Sequence, residues 1–183
     1  MLTITGRAES PRATLELDPH VPFVLRIGNA PGHGESLIWY CEPDDRSIFE
    51  VWIDGKTGAL HRVALVAINP NRISRTKAAD SGPTVPTSER VPVGDTAAWQ
   101  DPRVVKNLDQ ITERDQFSLL IGANFISIRF GETGEPKEWV VSHRARFGVD
   151  KTKRLCRVEL TGLTLQDIAA INDAVTPCEP KKE

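Results

Sequence analysis

NFISIRFGETGEPKEWVVSHRARFGVDKTKRLCRVELT, residues 124–161, alternates apolar and polar side chains in three runs separated by turn segments. A period of two is the signature of a strand with one face covered. The runs 124–130, 138–147 and 153–161 predict three consecutive antiparallel strands. Parity places Ile126, Ile128, Phe130, Trp139, Val141, Phe147, Val158 and Leu160 on one face. It places Arg129, Arg144, Arg146 and Arg157 on the other. The expectation is a sheet with an oily underside and an arginine-rich outer face.

Downstream, Thr164-Leu-Gln-Asp167 resembles a capping box with Asp in the usual Glu or Gln position. An apolar stripe from Leu165 through Ile168 and Ile171 to Val175 predicts a C-terminal helix, which Pro177 ends. Upstream, Phe117–Ile121 reads as a strand. Asp101-Pro102 opens a predicted short middle helix with Val104, Leu108 and Ile111 on one stripe.

The first half repeats the strand pattern at 2–5, 13–18, 21–28, 36–41, 48–54 and 60–68. Asp54-Gly-Lys-Thr-Gly58 reads as a hairpin turn between the last two. Between the halves, Pro70, Pro83, Pro86 and Pro92 among polar residues predict an irregular connector.

The fold class expected is α+β, mainly antiparallel β. Residues 1–183 form a single compact domain in this reading. It divides into two similar β-meander halves, 1–68 and 94–178, joined by the proline-rich connector 69–93. Phe23–Gly28 matches Phe117–Gly122 at four of six positions, and Phe49–Gly58 matches Phe125–Gly134 at four of ten. Turn chemistry, which needs glycine at positive φ, explains the likeness more readily than duplication does.

The bulk numbers exclude several function classes. A net charge of −2 over 183 residues disfavours nucleic-acid binding, which usually needs a basic domain. No apolar run approaches the ~20 residues of a membrane span. No secretory leader is visible at the start, and three irregularly spaced cysteines do not make a disulfide framework. The placement expected is the cytoplasm, with Cys41 and Cys156 as reduced, buried hydrophobes.

No catalytic set emerges. Gly55-Lys56-Thr57 resembles the end of a P-loop, but the earlier glycine and the following helix are missing. None of His20, His33, His61 and His143 has a partner at metal-ligand spacing, so no metal and no cofactor are expected. His143 reads as a hydrogen-bonded imidazole on a strand, and His33 as part of a glycine-rich loop. There is no Gly-x-Ser-x-Gly elbow.

Two surface features remain. Arg129, Arg144, Arg146 and Arg157 form an anion-binding candidate, since guanidinium forks suit carboxylates and phosphates. The alternatives are a face neutralised by Glu138 and Glu159, or a dock for an acidic protein. The second feature is acidic. Glu42, Asp44 and Asp45 form a turn, and Glu50, Trp52 and Asp54 share one face of the strand that follows. A tryptophan between carboxylates is a candidate interface anchor for a partner with a basic surface.

The reading favours a soluble, non-enzymatic protein-binding protein that occludes a partner's surface, for example an immunity or inhibitor protein of a bacterial toxin system. The first alternative is a small-ligand-binding protein or enzyme with an arginine-rich cleft for an anionic substrate. The second is a structural subunit of a larger assembly.

Overall fold

The computed structural model describes residues 1–29, 36–79, 89–100, 109–131 and 135–176. In chain order its strands are β1 (Ile4–Glu9), β2 (Ala13–Glu16), β3 (Phe23–Ile27), β4 (Ser36–Asp44), β5 (Ser47–Asp54), β6 (Leu60–Ala67) and β7 (Ile73–Arg75). There follow β8 (Arg90–Gly94), β9 (Gln110–Glu113), β10 (Phe117–Ile121), β11 (Phe125–Phe130), β12 (Glu138–Ser142), β13 (Ala145–Val149) and β14 (Leu155–Thr161). One helix, α1 (Leu165–Val175), ends the described chain. The class is α+β with mostly antiparallel pairing.

The first six-stranded sheet has the order β2-β3-β6-β5-β4-β9, and the second β12-β13-β14-β11-β10-β7. Apart from β9 and β7 the two sheets follow the same path. Two strands pair, three more lie side by side, and the last of these returns beside the second. The segments alike in sequence fall on β3 with β10 and on β5 with β11. These are not equivalent positions along that path, where β3 corresponds to β11 and β5 to β13.

The stretch expected to be an irregular connector carries structure at both ends. After a 3-10 turn at Pro70–Arg72, β7 joins the far edge of the second sheet, parallel to β10. β8 pairs with β1 in a separate two-stranded ribbon. Residues 80–88 lie outside the described residues. So does 101–108, most of the predicted middle helix. Its last stripe residue, Ile111, is in β9, which adds to the first sheet parallel to β4. An isolated segment cannot reveal a pairing that depends on a neighbour supplied by another part of the chain.

The inner faces of the two sheets meet in one apolar cluster. Its centre is aromatic. Phe130 of the second sheet lies 5.6 Å from Trp39 and 5.1 Å from Phe49 of the first, ring centre to ring centre. The cluster extends through Phe49 to Phe117 at 6.1 Å and Phe23 at 6.4 Å. These edge-on and tilted geometries suit ring quadrupoles.

One expected strand divides in two. Residues 138–147 are β12 and β13, joined by a tight turn at His143 and Arg144, with His143 at φ 50°. Positive φ at the first of two loop positions is the feature of a II′ hairpin, usually met by glycine. Histidine enters the left-handed region more readily than most side chains. The imidazole is also held, with Nε2 3.0 Å from Pro11 O and 3.0 Å from Glu89 Oε2. The reversal flips the parity of β12. Val140, 1% exposed, packs inward, while Trp139 and Val141 join Arg146 on the outer face. Placing Trp139 and Val141 on the oily face is therefore corrected.

The C-terminal helix begins as its sequence predicts. Thr164 Oγ1 accepts from Asp167 N at 3.1 Å, and Asp167 Oδ2 accepts from Thr164 N at 2.9 Å. Ile168, Ile171 and Val175 pack against the core, whereas Leu165 is exposed. Thr164→Ala should cost about 1 kcal/mol, the usual worth of an N-cap, read as a lower denaturant midpoint at unchanged slope.

Candidate functional site

The outer face of the first sheet is organised around Trp52. Register sets Ile38, Trp52, Arg62 and Arg26 side by side across β4, β5, β6 and β3. One pair along, Tyr40, Glu50, Ala64 and Val24 form the neighbouring row. The Trp52 indole Nε1 donates to Glu50 Oε2 at 2.9 Å. The Arg62 guanidinium lies over the indole, 4.7 Å from its centre, and 3.8 Å from Glu50. His61 meets Trp52 edge-on at 6.4 Å and shares a 3.2 Å hydrogen bond with Ser36 Oγ.

These contacts set the local electrostatics. Burial pushes the His61 pKa down, against an opposing pull from Asp54, so His61 is neutral near pH 7. Burial followed by the negative charge of Glu50 raises the Tyr40 hydroxyl. Trp52 stays half-buried with its indole fixed on three sides.

The remaining acidic residues do not gather around Trp52. Asp44 and Asp45 lie at one end of β5 and Asp54 at the other, separated by roughly 23 Å at the usual rise per residue. Asp44 pairs with Arg72 at 2.8 Å and accepts from Arg46 N at 3.0 Å. Burial opposes ionisation there, but the hydrogen bonds from Arg72, Ser47 and Arg46 outweigh it and lower the pKa. Asp54 accepts from Thr57 N at 2.7 Å and Lys56 N at 2.9 Å, which closes the β5–β6 turn. Those bonds, led by Thr57 N, lower its pKa. Asp45 is exposed and Glu42 half-buried at the β4–β5 end. Glu50 and Trp52 are thus the pair the fold brings together. Tyr40, His61 and Arg62 complete their site, and only the cross-strand register could have revealed them.

The arginine residues separate in the same way. Arg129, Arg146 and Arg157 share the outer face of the second sheet, where parity puts them. Arg144 sits in the β12–β13 turn, 3.8 Å from Asp167 at the start of α1. Arg146 is 3% exposed and pairs with Glu159 at 3.1 Å. The expectation that its side chain is exposed is therefore corrected. Parity identifies a face but not what covers it. Glu159 also accepts from Ser127 Oγ at 3.1 Å and lies 3.8 Å from Arg157.

Arg157 and Arg129 are directly opposite each other on β14 and β11. Both reach Glu135, Arg157 at 3.0 Å and Arg129 at 3.8 Å. Trp139 carries Arg146 and Arg157 over its ring at 5.8 and 5.9 Å. Gly148 separates Trp139 from Arg157 in the same row. A Cβ there would come within 2.6 Å of the Pro136 ring, so only glycine lets this segment lie flat on the sheet. The residues sit on the outer face, while the space between the sheets is filled by the core.

Cys41 and Cys156 are both free and buried. Burial pushes their thiols up to about 12 and about 11, which leaves them protonated and unreactive. Cys178 and His33 lie outside the described residues. Among the described residues no group of three or more His, Cys, Asp or Glu could hold a metal ion. No helix among them is long and apolar enough to cross a membrane. The chain matches no protein-family model and no curated protein sequence.

Proposed function

We propose that this is a non-enzymatic protein-binding protein that occludes a basic surface on its partner, as an immunity or inhibitor protein of a bacterial toxin system does. The supporting observation is the fixed Trp52. A hydrogen bond to Glu50 and a stacked Arg62 already hold its indole, so little side-chain freedom remains to be lost on docking. Aromatic anchors of this kind dominate interface energetics. Glu42, Asp44, Asp45, Glu50 and Asp54 supply a negative field on and around the same sheet, which speeds encounter with a positive partner. The reading keeps the meander halves 1–68 and 94–178, with the first half presenting the docking face. The shared path of β2–β6 and β10–β14 supports that division, although β9 crosses to the first sheet and β7 joins the second from the connector.

The test is co-elution with the product of a neighbouring gene, followed by kinetics of any complex that forms. Trp52→Ala should weaken the complex by about 2 kcal/mol, roughly 30-fold in Kd, mainly through faster dissociation. Asp45→Lys should slow association and reduce its salt dependence. A complex indifferent to Trp52→Ala would remove this face as the anchor.

A further inference from the structure

The outer face of the second sheet holds an electrostatic arrangement independent of the Trp52 face. Like charges directly opposite each other on paired strands repel, and Arg129 and Arg157 are such a pair. Arg146 and Ser127 already engage Glu159, so Glu159 serves Arg157 only at 3.8 Å. Glu135 supplies the closer negative charge. Its side chain is 75% exposed, while that of Arg157 is 12% exposed and fixed against Trp139. The cationic half of the contact is therefore built into the sheet, and the anionic half hangs from the surface. An exposed pair of this kind is weakly held.

We infer that Arg129 and Arg157, backed by Trp139, form a phosphoryl-binding site that the Glu135 carboxylate occupies within the chain. Charge decides the class of ligand. With Glu135 displaced, Arg129 and Arg157 are left facing each other as two positive charges, because Glu159 is already engaged by Arg146 and Ser127. A phosphoryl group carries about −1.5 to −2 at pH 7 and offers three acceptor oxygens to guanidinium forks. A simple carboxylate brings only the charge Glu135 already provides. Glu135 is tethered, and tethering gives it an effective concentration on the order of millimolar. A monoanion therefore competes poorly and a dianion competes well.

The experiment follows the Trp139 indole N–H resonance in labelled protein, assigned with Trp139→Phe, during titration with inorganic phosphate, a phosphoserine peptide or acetate. Phosphate or the phosphopeptide should give a saturable shift in the wild type, and acetate none. Glu135→Gln should tighten phosphoryl binding roughly tenfold and allow acetate to register. Arg129→Gln changes an exposed side chain and should weaken binding roughly tenfold with an unchanged thermal midpoint. Trp52→Ala should alter none of this, which keeps the result separate from the protein-docking reading. A shift with the phosphopeptide alone assigns the site to a phosphorylated protein, and a shift with both assigns it to phosphoryl groups in general. The inference is overturned if Glu135→Gln leaves phosphoryl affinity unchanged, if Arg129→Gln has no effect, or if neither phosphoryl probe saturates Glu135→Gln.

Discussion

Arg146→Glu should destabilise the chain by about 3–5 kcal/mol, the cost of breaking a buried ion pair by changing one partner. Arg146 and Glu159 are 3% and 8% exposed and 3.1 Å apart. The substitution sets two carboxylates together where water cannot separate them, and removes the cation over Trp139. A chain of this length loses roughly 2–4 °C of Tm per kcal/mol, so the midpoint should fall by about 10 °C. Arg144→Glu is the control. Its side chain is 53% exposed and contacts Asp167 at 3.8 Å, a surface pair worth under about 1 kcal/mol after screening. Changing both residues together should reproduce the Arg146→Glu loss with little added. Arg146→Met with Glu159→Gln should recover much of it, because an uncharged pair leaves no carboxylate stranded. Equal, small losses for Arg144→Glu and Arg146→Glu in urea melts would show that the pair is solvated.

The contrast between these two arginines shows how far the sequence could be read. Local features with a local cause were legible. Asp54-Gly-Lys-Thr-Gly58 forms its turn because Asp54 accepts from the Lys56 and Thr57 amides. Thr164 and Asp167 start α1 through bonds within a single turn. The β12–β13 reversal was hidden because Ser-His-Arg-Ala contains none of the glycine or asparagine that marks such turns. His143 is held there by Pro11 and Glu89, which are remote in sequence. β7 and β9 were hidden for the same reason, since each is a short strand defined by a partner from elsewhere. Parity put Arg129, Arg146 and Arg157 on one face, but the burial of Arg146 and Arg157, with Arg129 left exposed, depends on Trp139, Pro136 and Glu159 converging there. The acidic residues divided along β5 because turn capping at its two ends holds Asp44 and Asp54 away from Trp52.

Phe130→Ala should cost about 3–5 kcal/mol, the range for removing a fully buried phenyl ring. The ring is 0% exposed and touches Trp39 and Phe49 across the interface and Phe117 on the adjacent strand. Three aromatic contacts lose their favourable geometry together with the buried area, each adding about 0.5–1.5 kcal/mol beyond area alone, which places the expected value in the upper part of that range. Phe130→Leu keeps most of the volume and should cost clearly less. The cost should not fall on the second sheet alone. Trp39 and Phe49 belong to β4 and β5, the strands whose outer faces carry Tyr40, Glu50 and Trp52. Backbone order on one face of a strand is shared with the other. Loosening the core beneath β5 therefore weakens the register that holds Trp52 beside Arg62. Urea unfolding of Phe130→Ala, followed by tryptophan fluorescence and by far-UV circular dichroism, should give one coincident transition at a lower midpoint with unchanged slope. Two separated transitions would mean that the sheets are stabilised independently. In that case the Trp52 face would be a module of the first sheet and would keep its geometry after the second had melted.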